Sequence, residues 1–183
     1  MVPVHSRQLQ RTPVGRVSVW ASASGIRRIV FSRGPDLPVA GEVEGEGDAP
    51  LHLAQAIHEL GRYFGGEDVA FSVPLDLGDA TPFRRRVWQA LTDIAHARTR
   101  SYGEIADTLG LDPVAARAVG QAIGSNPVPI LIPCHRVVAS DGRLHGFSGG
   151  LEVKAGLLRL EGLRVEGQGA AARVRPELLD LGL

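Results

Sequence analysis

The chain of 183 residues is poor in several things, and each shortage excludes a class of protein. It has one cysteine, Cys134, so neither an intrachain disulfide nor a cysteine-rich zinc site is available to it. It has one lysine, Lys154, every other basic residue being arginine. Its 20 basic and 20 acidic residues cancel, which removes any global pull toward nucleic acid. The balance is uneven along the chain: residues 1–78 carry a small acidic excess and 79–183 a matching basic one, so any nucleic-acid surface belongs to the second half. No apolar run approaches the ~18–20 residues of a membrane span. The opening MVPVHSRQLQRT lacks the apolar stretch of a secretory signal, and a cytoplasmic location is expected. What is present, 44% hydrophobic and 22% charged residues, is the composition of one globular domain or two small ones. A disordered tail, a collagen-like fibre and a coiled coil are thereby ruled out.

Apolar and polar residues alternate over 14–31, which predicts a β-hairpin turning at Ser24-Gly25. Residues 33–50, rich in Gly, Pro and acid, read as a mobile loop. An amphipathic helix follows over 51–64, with Leu53, Ile57, Leu60 and Phe64 on one face and Gly65-Gly66 ending it. Val69 to Leu75 reads as a short strand. This half carries nothing overtly catalytic and is expected to be a scaffold domain, 1–78. From 79 the character changes. Thr81 can cap a helix with Pro82 at its first position, and Phe83, Val87, Leu91 and Ile94 recur at helical spacing. Arg84, Arg85 and Arg86 read as a solvated face. Ser101 and Glu104 form a capping box for a helix over 102–109, and Asp112-Pro113 starts another over 113–124. Two short helices joined by a glycine-containing turn match a helix-turn-helix. The second is nearly all small residues plus Arg117, suited to close approach to another surface.

The chemistry is concentrated after Asn126. An apolar run, Val128 to Ile132, is closed by Pro133 and delivers Cys134 beside His135. Burial alone raises a thiol pKa and keeps it inert. His135 as a base, acting directly or through a water, and a helix beginning near Cys134 would offset that. A histidine base needs a third group to hold its tautomer, usually a carboxylate. Asp141, Glu152 and Glu161 are available, and spacing does not choose among them. Gly142 to Gly150 is a glycine-dense loop whose backbone could close over a planar ligand. Leu151 to Gly162 reads as a helix burying Leu151, Leu157, Leu158 and Leu160, and the tail from 163 as frayed.

The string NPVPILIPCHRVVASDGRLHGFSGGLEVKAGLLRLEG resembles the signature of the O6-alkylguanine-DNA alkyltransferases, the methylated-DNA–protein-cysteine S-methyltransferases of direct-reversal repair. The resemblance runs upstream through TPFRRRVWQAL, RSYGEIADTLG and AARAVGQAIGSNP, and more weakly through TPVGRVSVW, GIRRIVFS and AIHELGRYFGG. It implies an α/β N-terminal domain of ribonuclease-H-like topology and a helical C-terminal domain, 79–183, with a winged helix-turn-helix. It also implies residue roles. Cys134 matches the acceptor, His135 its base working through a water, Glu161 the carboxylate that orients the histidine, and Asn126 the hinge asparagine. Tyr102 and Arg117 match the residues that rotate the 3′ phosphate and fill the gap left by a flipped base, with Ala115 and Ala116 pressed into the minor groove. Ser148, Phe147, Val137 and Lys154 match the pocket, Ser148 contacting the guanine O6.

The implied partner is double-stranded DNA containing O6-alkylguanine, with O4-alkylthymine a further substrate. It is met by a monomer through the minor groove with base flipping, and the alkyl group passes once, irreversibly, to the protein. No cofactor, metal, membrane or transcriptional-activator role is expected. The chain departs from the family pattern at four places. Ala95 and Ala97 stand for the usual Pro and Gly, and the Gly110-Leu-Asp-Pro turn is one residue longer. Phe147 replaces a common Tyr, and His145 stands where a smaller residue is frequent. Three competing readings remain: a non-catalytic damage binder, which Cys134 opposes; a plain helix-turn-helix regulator, which leaves the Cys-His pair unexplained; and a cysteine hydrolase, which would turn over and need an oxyanion hole.

Overall fold

The computed structural model describes residues 5–32 and 47–175, so most of the loop expected over 33–50 lies outside the described residues. In chain order the elements are β1 (His5–Thr12), β2 (Gly15–Ser22), β3 (Gly25–Ser32), α1 (Ala49–Phe64), α2 (Pro82–Thr92), β4 (Arg100–Ser101), α3 (Tyr102–Thr108), α4 (Ala116–Gly124), β5 (Val137–Val138), α5 (Leu151–Leu160), β6 (Val165–Glu166) and β7 (Arg173–Val174). No helix among the described residues is long and apolar enough to cross a membrane.

The expected hairpin is β2–β3, and a third antiparallel strand, β1, pairs with β2. Sequence pattern missed β1 because HSRQLQRT has little apolar alternation. α1 packs across all three strands, over the fully buried Val17, Val19 and Ala21. Its inner face is Leu53, Ala56, Leu60 and Tyr63; Ile57 and Phe64 are only half-buried, so the stripe lies one position away from that expected. The strand expected at 69–75 does not form. Glu59 takes the backbone N–H groups of Ser72 and Val73, Pro74 has none to give, and only Leu75 bridges to Ile26. Burial works against a charged Glu59, yet hydrogen bonds from Gln55, Ser72 and Val73 hold its carboxyl below the ordinary value.

In the second half Thr81 Oγ1 accepts the Arg84 N–H as cap of α2, and Ser101 and Glu104 close the expected box on α3. The helix expected over 113–124 begins as a 3₁₀ turn, 113–115, with Asp112 Oδ1 accepting the Val114 N–H, and becomes α4 at Ala116. α2 is pinned to α4 by the Trp88 indole N–H, which donates to the Ala122 carbonyl at 2.8 Å. One continuous core runs through both halves, from Val17 and Leu60 to Leu91, Ile123 and Cys134. The Ile29 N–H adds a backbone bond across to the Pro127 carbonyl at 2.9 Å. The tail is not frayed over its described part: β6 and β7 pair, and Val165, Ala172 and Val174 are buried; 176–183 lie outside the described residues.

Candidate active site

The segment before the thiol is held under strain. Ile130 is buried with φ +79, a conformation that a β-branched residue adopts at a cost of ~1–3 kcal/mol. Asn126 brackets the turn: its Oδ1 accepts the Val128 N–H at 3.0 Å and its Nδ2 donates to the Ile132 carbonyl at 2.8 Å. The second Nδ2 hydrogen is directed to Cys134 Sγ, 3.1 Å away. Pro133 then leads into a single 3₁₀ turn, Cys134–Arg136, in place of a longer helix. Cys134 is buried, and burial pushes its thiol up to about 11 against the Asn126 hydrogen bond and the nearby Lys154 charge, which pull it down.

His135 is wholly buried, and its Nε2 lies 2.7 Å from Glu161 Oε1. Glu161 is also the focus of Tyr63, whose hydroxyl donates to Oε1 at 2.8 Å. Arg136 reaches Oε1 through Nη2 and Oε2 through Nε, both at 3.0 Å, while its Nη1 donates to the Ile94 carbonyl at 2.6 Å. Burial disfavours a charged Glu161, but the hydrogen bonds from His135 and Arg136 and the Arg136 charge outweigh it and hold the carboxyl far below its ordinary value. An ionised carboxylate only accepts, so His135 carries its proton on Nε2. Its Nδ1 is therefore a bare lone pair, and among the described residues it is the one buried side-chain polar atom without a hydrogen bond. Burial lowers the His135 pKa despite the opposing Glu161 charge, so the ring rests neutral. The other two carboxylates left open by spacing are elsewhere: Asp141 is exposed and pairs with Arg143, and exposed Glu152 accepts the Gly169 N–H.

A cleft of about 650 Å³, bordered by Trp20, Arg28 and Phe31 of the sheet and by Ser148, meets this cluster at Asn126 alone; Cys134, His135 and Glu161 do not line it. Phe31 supports the loop carrying Phe147 and Ser148: the two phenyl centroids are 5.5 Å apart, and a Cβ on Gly149 would come within 2.7 Å of the Phe31 ring. The Lys154 ammonium is buried, drawn down to about 8 by that burial, and donates to the His145 carbonyl at 2.6 Å. The Tyr102 hydroxyl reaches the same carbonyl at 3.4 Å, and its ring lies against Gly120 of α4. Val137 is fully buried in β5. α4 turns Val119, Ala122 and Ile123 inward and leaves Arg117 exposed, with no hydrogen bond or ion pair to a described residue. Ala115 and Ala116 are partly exposed beside it, and Val114 is 84% exposed.

The model of the 6-O-methylguanine DNA methyltransferase ribonuclease-like domain matches residues 7–77, and that of the DNA binding domain matches 82–163. The chain is 52% identical over 112 residues to a methylated-DNA–protein-cysteine methyltransferase of Mycolicibacterium paratuberculosis, taking in 61% of this chain and 67% of that protein. It is 38% identical over 157 residues to the Methanosarcina acetivorans protein of the same name, with 82% and 94% covered. The crystal structure of Mycobacterium tuberculosis O6-methylguanine methyltransferase superposes with a TM-score of 0.71 at 40% identity, over 86% of this chain and 92% of that one. A Mycobacterium tuberculosis OGT structure in complex with DNA gives the same score, with 93% of that chain covered.

The chain belongs to the 6-O-methylguanine DNA methyltransferase family.

Its fold is the family's, an N-terminal ribonuclease-like domain and a C-terminal DNA-binding domain in a mixed α/β structure. Sequence reasoning missed three participants in the cluster around Glu161. Tyr63 lies one position off the helix stripe expected to be core. Arg136, next to His135, was passed over. Ala97 sits at φ +55, where glycine would be unstrained, and its N–H donates to Glu161 Oε2 at 3.3 Å. The signal available for Tyr63 was a phenol on an otherwise apolar stripe, since a buried hydroxyl needs a partner.

Proposed function

We propose that Cys134 accepts the alkyl group, with His135 as its base and Glu161 and Asn126 holding the pair in place. The chain acts in direct-reversal DNA repair by alkyl transfer. The carrying observation is the buried Cys134–His135 segment in which Asn126 contacts the sulfur and Glu161 fixes the histidine tautomer. Neutral His135 takes the thiol proton at Nδ1, directly or through one water. The thiolate attacks the alkyl carbon in line, the carbon–sulfur bond forms, and the carbon–O6 bond breaks with its electron pair going to the guanine. The proton lost from sulfur ends on guanine N1, so the products are a thioether and normal guanine. Mixing the protein with a duplex bearing one O6-methylguanine tests this. A methyl group on the Cys134 peptide is expected; released methanol would indicate a hydrolase, and bound, unaltered DNA a damage binder.

Tyr63 and Arg136 join the catalytic cluster as positioning residues on Glu161. A hydrogen bond to a charged group contributes ~1.5–3 kcal/mol, so Tyr63→Phe should slow transfer by up to about 10- to 100-fold. Stripped of one donor, Glu161 becomes more basic and raises the His135 pKa. The rising limb of the pH–rate profile should therefore move to higher pH. A limb that stays put would reduce Tyr63 to a purely structural part.

On the DNA side, α3 and α4 form the helix-turn-helix and the loop after β5 its wing, with the domain boundary at 78/79. Ala115, Ala116 and the exposed part of α4 enter the minor groove, where shape outweighs base identity. Tyr102 turns the 3′ phosphate, and Arg117 occupies the space left by the extruded base. Ser148, Phe147, Val137 and Lys154 line the pocket, which accepts O6-alkylguanine and O4-alkylthymine. The protein works as a cytoplasmic monomer without a cofactor. Extrusion costs a few kcal/mol, so Arg117→Ala should weaken capture from duplex DNA roughly 10- to 100-fold and leave reaction with a free alkylated base nearly as fast. Equal losses on the two substrates would sink this role.

A further inference from the structure

Residues 164–175 lie outside the span matched by the family's DNA-binding domain, yet they are built firmly into the fold. β7 is stitched to the 139–144 loop: the Leu144 N–H donates to the Ala172 carbonyl and the Val174 N–H to the Gly142 carbonyl, both at 2.9 Å. Gly142 is needed at this seam, with φ +81 and a Cβ position only 2.6 Å from the Val174 carbonyl oxygen. Val165, Ala172 and Val174 bury with Val138, Leu144 and Leu158 in a small core of their own.

The docked hairpin completes a cleft of about 910 Å³. Arg173 and Arg175 border it from β7 and the residue after, Arg98 and Arg100 from the segment before α3, and Glu104 and Asp141 are the acids among its lining residues. Four arginines and two acidic residues thus line the same space. The Arg100–Glu104 and Arg175–Glu166 pairs are exposed on both sides, a kind worth ~0–1 kcal/mol and readily exchanged for a better anion. Arg173 donates Nη2 to the uncharged Asp141 carbonyl. The cleft is continuous with the proposed DNA face by two routes. Its Ser101 immediately precedes Tyr102, and the 139–144 loop runs on to His145, whose carbonyl accepts from both Tyr102 and Lys154.

We propose that this arginine-lined cleft is a phosphate-binding extension of the DNA interface, taking the backbone of the same duplex whose damaged base enters the site. The inference rests on the proposed function. Guanidinium forks match phosphate oxygens two at a time, and a strand of phosphates offers a row of partners to a row of arginines. Each phosphate neutralised releases counterions, so the contribution is read from the salt dependence of binding.

The test is the affinity of the full chain for a duplex containing O6-methylguanine, measured across salt concentrations. Combining Arg173→Ala with Arg175→Ala should lower the slope of log affinity against log salt by about 1.8, or about 0.9 per phosphate contact. The affinity lost between ~50 and ~200 mM salt would then shrink roughly tenfold. The paired Arg→Lys variant, which keeps both charges, should retain most of the slope, and Arg62→Ala on α1 should retain all of it. An unchanged slope in the double alanine variant overturns the proposal. So does loss of inorganic phosphate binding with duplex binding intact, which would make the cleft a small-anion site. If the wild-type chain itself shows no salt-dependent duplex binding, the proposed function fails instead.

Discussion

Glu161→Gln is expected to slow single-turnover methyl transfer by about 10²–10⁴-fold at neutral pH, with duplex affinity nearly unchanged. The reason lies in what the carboxylate does for a base buried without solvent. Burial lowers the His135 pKa, and the Glu161 carboxylate at 2.7 Å acts the other way, first through its hydrogen bond and then through its charge. A glutamine can still accept the Nε2 hydrogen, but it offers no charge to stabilise the imidazolium that forms as the thiol gives up its proton. The same loss should be seen with a free alkylated base, because the defect is in the base and not in DNA capture. The substitution also strands Arg136, which is 11% exposed and loses its counter-charge; breaking such a pair costs about 3–5 kcal/mol. Rates must therefore be compared well below the melting temperature of the variant. Stability against pH gives an independent check. The folded Glu161 carboxyl titrates below its ordinary value of 4.5, so its stabilising contribution is complete above that value and is lost as pH falls beneath it. The glutamine variant should lack that limb. An unchanged transfer rate would show that His135 needs no carboxylate.

How much of this was legible in the chain differs from one element to the next. Caps are local chemistry, and Thr81, Ser101 and Glu104 do what their spacing says. The Cys134–His135 pair could be read because an apolar run ending in proline has one obvious place to deliver a thiol. Which carboxylate meets His135 could not be read from spacing, because Glu161 arrives from the far end of α5, a tertiary fact; only the resemblance singled it out. Tyr63 was invisible for the same reason, being 98 residues from the carboxylate it contacts. The expected 69–75 strand failed on a competition that a pattern cannot show: a buried Glu59 carboxylate outbids a neighbouring strand for two backbone N–H groups. β1, polar in sequence, and β6 and β7, too short at two residues each to show a period, exist through pairing with partners rather than through their own apolar periodicity.

With methylated duplex in excess, transfer is expected to stop at one methyl group per chain, leaving a gain of ~14 Da on the peptide that holds Cys134. The thioether formed is stable under mild conditions, and the chain has no second cysteine to take the group onward. The buried setting explains why the sulfur is needed and why it is quiet until used. At about 11 the thiol is largely protonated at neutral pH, so in the proposed mechanism reaction waits on His135 to remove the proton as the alkyl carbon comes into line. In the same proposed mechanism Asn126 stabilises the developing charge through the Nδ2 hydrogen it directs at the sulfur, while the same side chain brackets the strained Ile130 turn. Cys134→Ser keeps the shape and the Asn126 contact, so it should still capture alkylated DNA. It should transfer nothing measurable, since a buried hydroxyl is far harder to ionise than a thiol and is a weaker nucleophile toward carbon. Two results would refute the acceptor assignment: repair beyond one equivalent in the wild type, or mass gained on a peptide lacking Cys134.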